Sequence, residues 1–468
     1  MGQGARPWTR IFKRSPANES EVDLRDTIDE LHALLRGSLL SRRRLMQGLA
    51  VAFFPAAANA KSWLTGASLQ SSTANPTESP YDPAVLPPGI RSTFVNNING
   101  LRMHVLEAGF ETKGRQCLLL LHGFPELAYS WRKVMLPLAA AGFHVIAPDR
   151  RAYGRTSGWD VGYDDDIAPF NTLNQVKDIL ALVLAFGYRS VAAVIGHDQG
   201  SPIASWASLV RPDVFRSVVM MSSPFAGPPA LPFNSSEMPQ ANPKAGALVD
   251  PIDEELAALN PPRKYYQKYY TTRPANEDIW HPPQGVHAFL RAYYHMKSAD
   301  WKQNAPFPLK ARTASEWAKL PRYYVMDLDK NMAQTVAPEM PSAADIAACK
   351  WLPDSELRVY SSEFGRTGFQ GGLNGYRVRW SVKDPAELRL FSGRSIDVPS
   401  LFISGKSDWA VFQTPGDFEK MQKTGCTRLL GTHLLDGAGH WVQQEQPEVV
   451  SKLLVQFLLD KSQHENKS

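Results

Sequence analysis

From residue 117 onward, short uninterrupted apolar runs recur along the chain: "CLLLLHG" at 117–123, "HVIAPDRR" at 144–151, "SVAAVIGHD" at 190–198 and "FRSVVMMSSP" at 215–224. Runs that are apolar throughout, and not only at alternate positions, predict strands covered on both faces, as in a parallel sheet. Segments of helical period such as "NTLNQVKDILALVLAFG" separate them, which is the pattern of an α/β protein. Upstream, "STFVNNI" and "LRMHVLEAG" are joined by Asn99-Gly100, the strongest short signal for a hairpin.

Between about 229 and 390 the pattern stops. That stretch is rich in proline and aromatics, with tyrosine pairs at 265–266, 269–270, 293–294 and 323–324, and has no buried-strand run. Strand texture resumes in "SLFISGKSD" (400–408) and "THLLDGAGH" (432–440), and "QPEVVSKLLVQFLL" predicts a last helix. The expected organisation is an α/β core in two parts, 91–228 and 391–461, a helical cap inserted at 229–390, and a tail at 462–468. A cap over the strand ends encloses a pocket where α/β sheets bind ligands.

Ahead of the core, residues 61–90 are rich in Ser, Thr and Pro and read as a linker. Residues 1–60 form a leader. Within it "SRRRLMQGLAVAFFPAAANA" (41–60) has the basic cluster, apolar stretch and small-residue ending of an export signal with a twin-arginine flavour. The amphipathic "VDLRDTIDELHALLRG" supports the alternative, a docking helix pair on a cytoplasmic protein.

Charge and cysteines narrow the class. Of the net charge of +5, the first 60 residues carry +3, leaving the body close to neutral and without a reason to bind nucleic acid. Cys117, Cys349 and Cys426 are widely spaced and odd in number, so they are read as packing residues rather than a disulfide framework or a metal cluster. No metal and no organic cofactor is implied, and the oligomeric state is left open.

The chemistry begins at "GHDQGS" (196–201). Its form is the strand-to-helix turn that carries the serine of esterases and lipases, but the central residue is Asp198. A carboxylate attacks saturated carbon and leaves an alkyl ester on the enzyme, which water must then cleave with the help of a base and oxyanion donors. Asp408 at the tip of "LFISGKSD" and His440 in "DGAGHWVQQEQP" follow in the order this fold class uses. His440 is expected to activate water while Asp408 fixes its tautomer. The amides of Phe124, after the glycine turn of "LLLLHGFPE", and of Gln199 are the expected oxyanion donors; Pro125 has none to give.

These motifs, His-Gly-Phe-Pro (122–125), Gly-His-Asp-Gln-Gly (196–200), Ser-Asp-Trp (407–409) and Gly-His-Trp (439–441), make residues from about 91 to 461 resemble an α/β-hydrolase-fold epoxide hydrolase of the soluble type. The resemblance implies a mostly parallel sheet with a helical cap, a small hydrophobic epoxide as substrate, and two cap tyrosines that donate to the epoxide oxygen. One is placed at Tyr376, in "TGFQGGLNGYR"; the other at Tyr266, with Tyr265 and Tyr269 as rivals. His122, Trp131 and Gln267 are expected at the substrate, His122 alternatively bracing its loop. Two features depart from the family: Gln199 stands where Trp is frequent, and the cap is long. The competing readings are a haloalkane or haloacid dehalogenase with the same triad, and a lipid-binding protein that performs no chemistry.

Overall fold

The computed structural model describes residues 79–159, 162–231, 251–381 and 383–465; the leader, most of the linker and the last three residues of the tail lie outside the described residues. The core strands are β1 Ile90–Ile98, β2 Leu101–Ala108, β3 Cys117–Leu121, β4 His144–Pro148, β5 Ala193–His197 and β6 Val218–Met221. After a small separate pair, β7 Arg263–Tyr265 and β8 Val325–Asp327, the core resumes with β9 Ser400–Gly405 and β10 Leu429–Leu435. The eight core strands form one sheet in the order β1-β2-β4-β3-β5-β6-β9-β10. β2 runs antiparallel to both its neighbours, and every other pairing is parallel.

Why the strands are apolar throughout is visible in their two faces. Leu118, Leu120, Ile195, Met221 and Ile403 enter one core, whereas Leu119, Leu121, Val194, Met220 and Phe402 enter the other. Each face is covered, so neither set of alternate positions meets water. Helices Thr172–Ala185 and Gly200–Val210 cover the second core through Val176, Ile179, Leu182 and Ile203. Helices Arg132–Ala140 and Pro447–Glu465 cover the first through Val134, Leu138, Leu454 and Leu458, and this core continues into the insertion between β6 and β9. Full burial of such side chains contributes roughly 1.5–3 kcal/mol each.

The Asn99-Gly100 turn has φ of 49° and 85°, the paired positive values that a two-residue hairpin of right-handed twist requires. Asn99 also donates to Asp178, which is paired with Arg151, so the hairpin is tied to helix Thr172–Ala185 and to the loop after β4.

Three details differ from the sequence expectation. The stretch read as linker is packed before residue 90: Tyr81 and Leu86 are buried, Tyr81 edge-on to His104, because even a Pro-rich segment buries large apolar side chains where it crosses a sheet. The last helix continues to Glu465, into the segment read as tail. The insertion, besides its helices, contains the antiparallel pair β7–β8, whose three-residue strands are too short to leave a periodic signal.

At the turn between β5 and helix Gly200–Val210, a Cβ on Gly196 would stand 2.1 Å from the Gly200 carbonyl oxygen, and one on Gly200 would stand 2.2 Å from that of Leu121. Neither position has room for a side chain. Gly200→Ala is expected to destabilise the fold by about 3 kcal/mol or more, read as a lowered thermal unfolding midpoint with loss of activity; a midpoint equal to that of the wild type would show that the contact relaxes freely.

Candidate active site

Five adjacent strands, β3, β5, β6, β9 and β10, deliver their carboxyl ends to one edge of the sheet. Phe124 follows β3, Asp198 follows β5, Ser222 follows β6, Asp408 follows β9 and His440 follows β10. The chain turns back across the sheet between β4 and β5, and the crevice at such a reversal is where open α/β sheets place ligands.

Asp198 has φ of 48°, a left-handed conformation rare for a residue with a side chain. Strain of this kind, imposed by the close glycines on either side, lifts the carboxylate away from the turn. The Phe124 amide donates to Asp198 Oδ1 at 2.8 Å, and His440 Nε2 faces Oδ2 at 3.5 Å. Burial opposes the charge, but the facing His440, with Lys297 and His197 behind it, holds the Asp198 carboxyl well below the usual carboxylate range. It is therefore ionised at neutral pH.

The other side of His440 is fixed. Nδ1 lies 3.2 Å from Asp408 Oδ1 and 2.8 Å from Ser222 Oγ, while the Ser222 hydroxyl donates to Asp408 Oδ2 at 2.6 Å. With its hydrogen committed to Asp408, the Ser222 oxygen accepts from the imidazole, so the proton sits on Nδ1 and Nε2 is left as the basic nitrogen. Nε2 is buried and without a hydrogen-bond partner. Ser404 and the Ala410 amide also donate to Asp408, whose carboxyl is held low by His440, Ser222 and the Ala410 amide against the cost of burial.

The loop that carries His440 is bound to the insertion. The His440 amide donates to the Lys297 carbonyl at 2.8 Å, Trp441 stacks on Tyr294 at 4.2 Å, and Glu445 accepts from the amides of Ala299, Gly439 and Trp441. Lys297 is itself buried, its ammonium 5.3–5.6 Å from the ring centres of Tyr293, Tyr324 and Trp441. Below the site, Glu126 accepts from Gly123 and pairs with His197, whose other nitrogen reaches the His440 carbonyl at 2.7 Å.

Tyr266 and Tyr376 lie within electrostatic reach of Asp198. Tyr376 lies edge-on to Phe124, ring centres 5.5 Å apart, and 6.0 Å from Tyr266. The Tyr266 hydroxyl accepts from Gln267 at 3.1 Å and from Gln413 at 3.3 Å, leaving its own hydrogen for another acceptor. Burial and the Asp198 charge push the Tyr266 phenol up to about 12, with both glutamines pulling the other way. Burial, Tyr266 and Asp198 hold that of Tyr376 well above the ordinary phenol value. Of the rivals, Tyr269 spends its hydrogen on Asp278 at 2.7 Å, whereas the Tyr265 hydroxyl accepts from Gln413, as that of Tyr266 does, with its ring against Trp317.

Three residues expected at the substrate have other surroundings. His122 uses Nε2 to accept the Arg150 amide and Nδ1 to bond the Gly123 carbonyl, and burial lowers its pKa to about 4, so it braces the loop as a neutral ring. Gln267 spends its amide on Tyr266. Trp131 is fully buried in the core with Leu127 and Val134. Gln199 follows Asp198 at the start of helix Gly200–Val210, its Oε1 accepting from Tyr153 at 2.9 Å. Sequence reasoning missed Ser222, Gln413, Lys297 and Glu445; of these only Ser222, a polar residue closing a core strand, carried a signal that position along the sheet edge could reveal.

Residues 116–262 match the α/β hydrolase fold family. Epoxide hydrolase A of Mycobacterium tuberculosis is 31% identical over 77% of this chain and 95% of its own length. The epoxide hydrolase of Caballeronia sordidicola is 30% identical over 77% of this chain and 91% of its own. Among solved structures, an epoxide hydrolase from an endophytic Streptomyces superposes with a TM-score of 0.63 at 30% identity, covering 81% of this chain and 97% of that one. A strand–turn–helix elbow, a relative matched over nearly all of its length and the same fold in a solved enzyme meet in one conclusion: the chain belongs to the epoxide hydrolases of the α/β-hydrolase fold.

Proposed function

We propose that this enzyme opens its epoxide by covalent catalysis, with Asp198 as nucleophile. The observation that carries the reading is the placement of the Asp198 carboxylate, one oxygen on the Phe124 amide and the other facing the unpartnered Nε2 of His440. In the first step Asp198 Oδ2 attacks a ring carbon, the C–O bond breaks, and the epoxide oxygen leaves as an alkoxide that takes a proton from a phenol. Tyr266 and Tyr376 serve as the donors. Their raised pKa values keep both protonated at rest, with a proton to give the developing alkoxide. The amides of Gln267 and Gln413 orient Tyr266 and stabilise charge on its oxygen.

In the second step His440 Nε2 takes a proton from water, whose oxygen attacks the carboxyl carbon of Asp198. Oδ1 then carries the negative charge against the amides of Phe124 and Gln199; on collapse the Cγ–Oδ2 bond breaks, the departing oxygen takes the proton of the new carboxyl group to give the diol, and the proton held by His440 returns to the phenolate, restoring the resting site. Asp408 and Ser222 hold the imidazole and stabilise it as a cation. The same carboxylate and base serve a dehalogenase, but two phenols opposite the nucleophile match an oxygen leaving group.

His440→Gln is expected to open the ring without hydrolysing the ester, so intact-mass measurement after a single turnover should show Asp198 heavier by one substrate. Normal diol formation with no adduct would remove His440 from the role of base. Tyr376→Phe should slow alkylation by about a hundredfold, the usual effect of removing one such donor, and Tyr266→Phe/Tyr376→Phe should slow it much further, both read by rapid mixing of enzyme in excess over substrate. Undiminished alkylation in the double variant defeats the assignment, and bromide release from a bromoalkane without any diol from epoxides moves the enzyme to the dehalogenases.

A further inference from the structure

The accessible surface of the site lies on one side of the nucleophile. The Asp198 side chain is 15% exposed, against 1% for that of His440, and Phe124, Tyr266 and Tyr376 are buried. Gln199, which follows Asp198, and Gly375, which precedes Tyr376, are both partly exposed. The two also meet. A Cβ on Gly375 would stand 3.2 Å from Gln199 Oε1 and 3.6 Å from its Nε2, so the side-chain amide lies against the helix Gln370–Arg379 one residue before Tyr376. It is thereby placed beside both ends of the proposed ring opening, the attacking carboxylate and a proton donor.

Only half of that amide is used by the protein. Oε1 accepts from the buried Tyr153 hydroxyl at 2.9 Å, which fixes the amide plane and turns Nε2 away from Tyr153. Among the described residues no group accepts from Nε2. A donor at a partly exposed position is satisfied by water until a ligand displaces it. A substrate seated on Asp198 covers this one, and its chain must then offer an acceptor or leave the donor unpaired at the cost of its desolvation. Neither step of the proposed reaction uses the Gln199 side chain, since its part as oxyanion donor belongs to the backbone amide.

We infer that the Gln199 side chain determines specificity by donating from Nε2 to a second oxygen of the substrate, and that the preferred substrates are epoxides with an ether, hydroxyl or carbonyl oxygen one or two atoms from the ring. The inference rests on the proposed epoxide hydrolysis at Asp198. Nε2 is a donor only, so its partner is an acceptor. Consecutive Cα atoms are about 3.8 Å apart, so a residue directly after the nucleophile meets the part of the substrate close to the carbon under attack, not its far end. Tyr153 is a positioning residue that acts through Gln199. An analogue without the oxygen is disfavoured because it covers the amide and leaves Nε2 unpaired in the complex.

The test compares phenyl glycidyl ether with 1,2-epoxy-4-phenylbutane, which differ by one oxygen in place of a methylene group. Gln199→Met keeps the backbone amide and nearly the same side-chain length but has no N–H to give. It is expected to lower the ether-to-carbon ratio of kcat/KM by about tenfold, the worth of one neutral hydrogen bond. Because both compounds meet the same variant, damage to the oxyanion hole or to the fold lowers both constants and cancels in the ratio. Tyr153→Phe, which leaves Gln199 in place but releases its Oε1, is expected to lower the ratio by a smaller factor. An unchanged ratio in Gln199→Met overturns the inference, whether both constants fall together or neither moves. Where Gln199→Met turns over neither compound, Tyr153→Phe decides instead: a lowered ratio supports the inference and an unchanged one overturns it. Wild-type enzyme that hydrolyses neither compound, nor styrene oxide or an aliphatic epoxide, refutes the reading of the site itself, an outcome distinct from active enzyme whose ratio is indifferent to Gln199→Met.

Discussion

Everything at this site depends on how closely β5 and the helix after it approach β3. With 2.1–2.2 Å between a would-be Cβ and the neighbouring carbonyl oxygens, Gly196 and Gly200 let the backbone reverse within a few residues, and Asp198 takes the left-handed conformation that remains. On such a turn the Asp198 carbonyl accepts from the Ser201 amide, while the side chain projects beyond the turn. Its carboxylate is therefore free for groups from other strands, and receives the Phe124 amide from β3 and faces the imidazole from β10.

Burying that carboxylate raises an electrostatic problem, since Asp408 and Glu126 are buried close by. Unpaired, each would cost several kcal/mol. The answer is an interleaved set of opposite charges and donors: His197 beside Glu126, His440 between Asp198 and Asp408, and Lys297 among aromatic rings within reach of all three carboxylates. Lys297 comes from the insertion, as do the carbonyl that receives the His440 amide and the Tyr294 ring that supports Trp441. The insertion thus completes the charge balance of the core, and the catalytic loop is built at the junction between them.

Much of this was legible in the sequence. The continuous apolar runs gave away strands with two covered faces, and Asn99-Gly100 gave away the hairpin, because both signals arise from residues adjacent in the chain. Glycines flanking Asp198, and an acid and a histidine after later strands, are likewise local patterns joined by a rule about strand ends. Gln413 and Glu445 were not legible: each acts on a residue far off in sequence, such as Gln413 on Tyr266 from 147 positions away. His122 and Gln267 mark the same limit from the other side. Their types suit a substrate pocket, but backbone and phenol partners that only the fold brings near had already claimed them.

The two layers divide the proposed reaction between them. Ring opening needs acids opposite the nucleophile, and those are phenols of the insertion, aimed by one glutamine of the insertion and one of the core. Ester hydrolysis needs a base and oxyanion donors, which come from the carboxyl edge of the sheet and are held by Ser222, Ser404 and Asp408. Chemistry common to any alkyl-aspartate is thereby anchored in the rigid sheet, where strain at Asp198 is supported on both sides. The tyrosines of the proposed ring-opening step belong to helices joined by loops, which tolerate substitution better than strands buried on two faces. Change in the insertion can alter the substrate without disturbing hydrolysis, provided that the contacts of Lys297, Tyr294 and Ala299 with the His440 loop are kept.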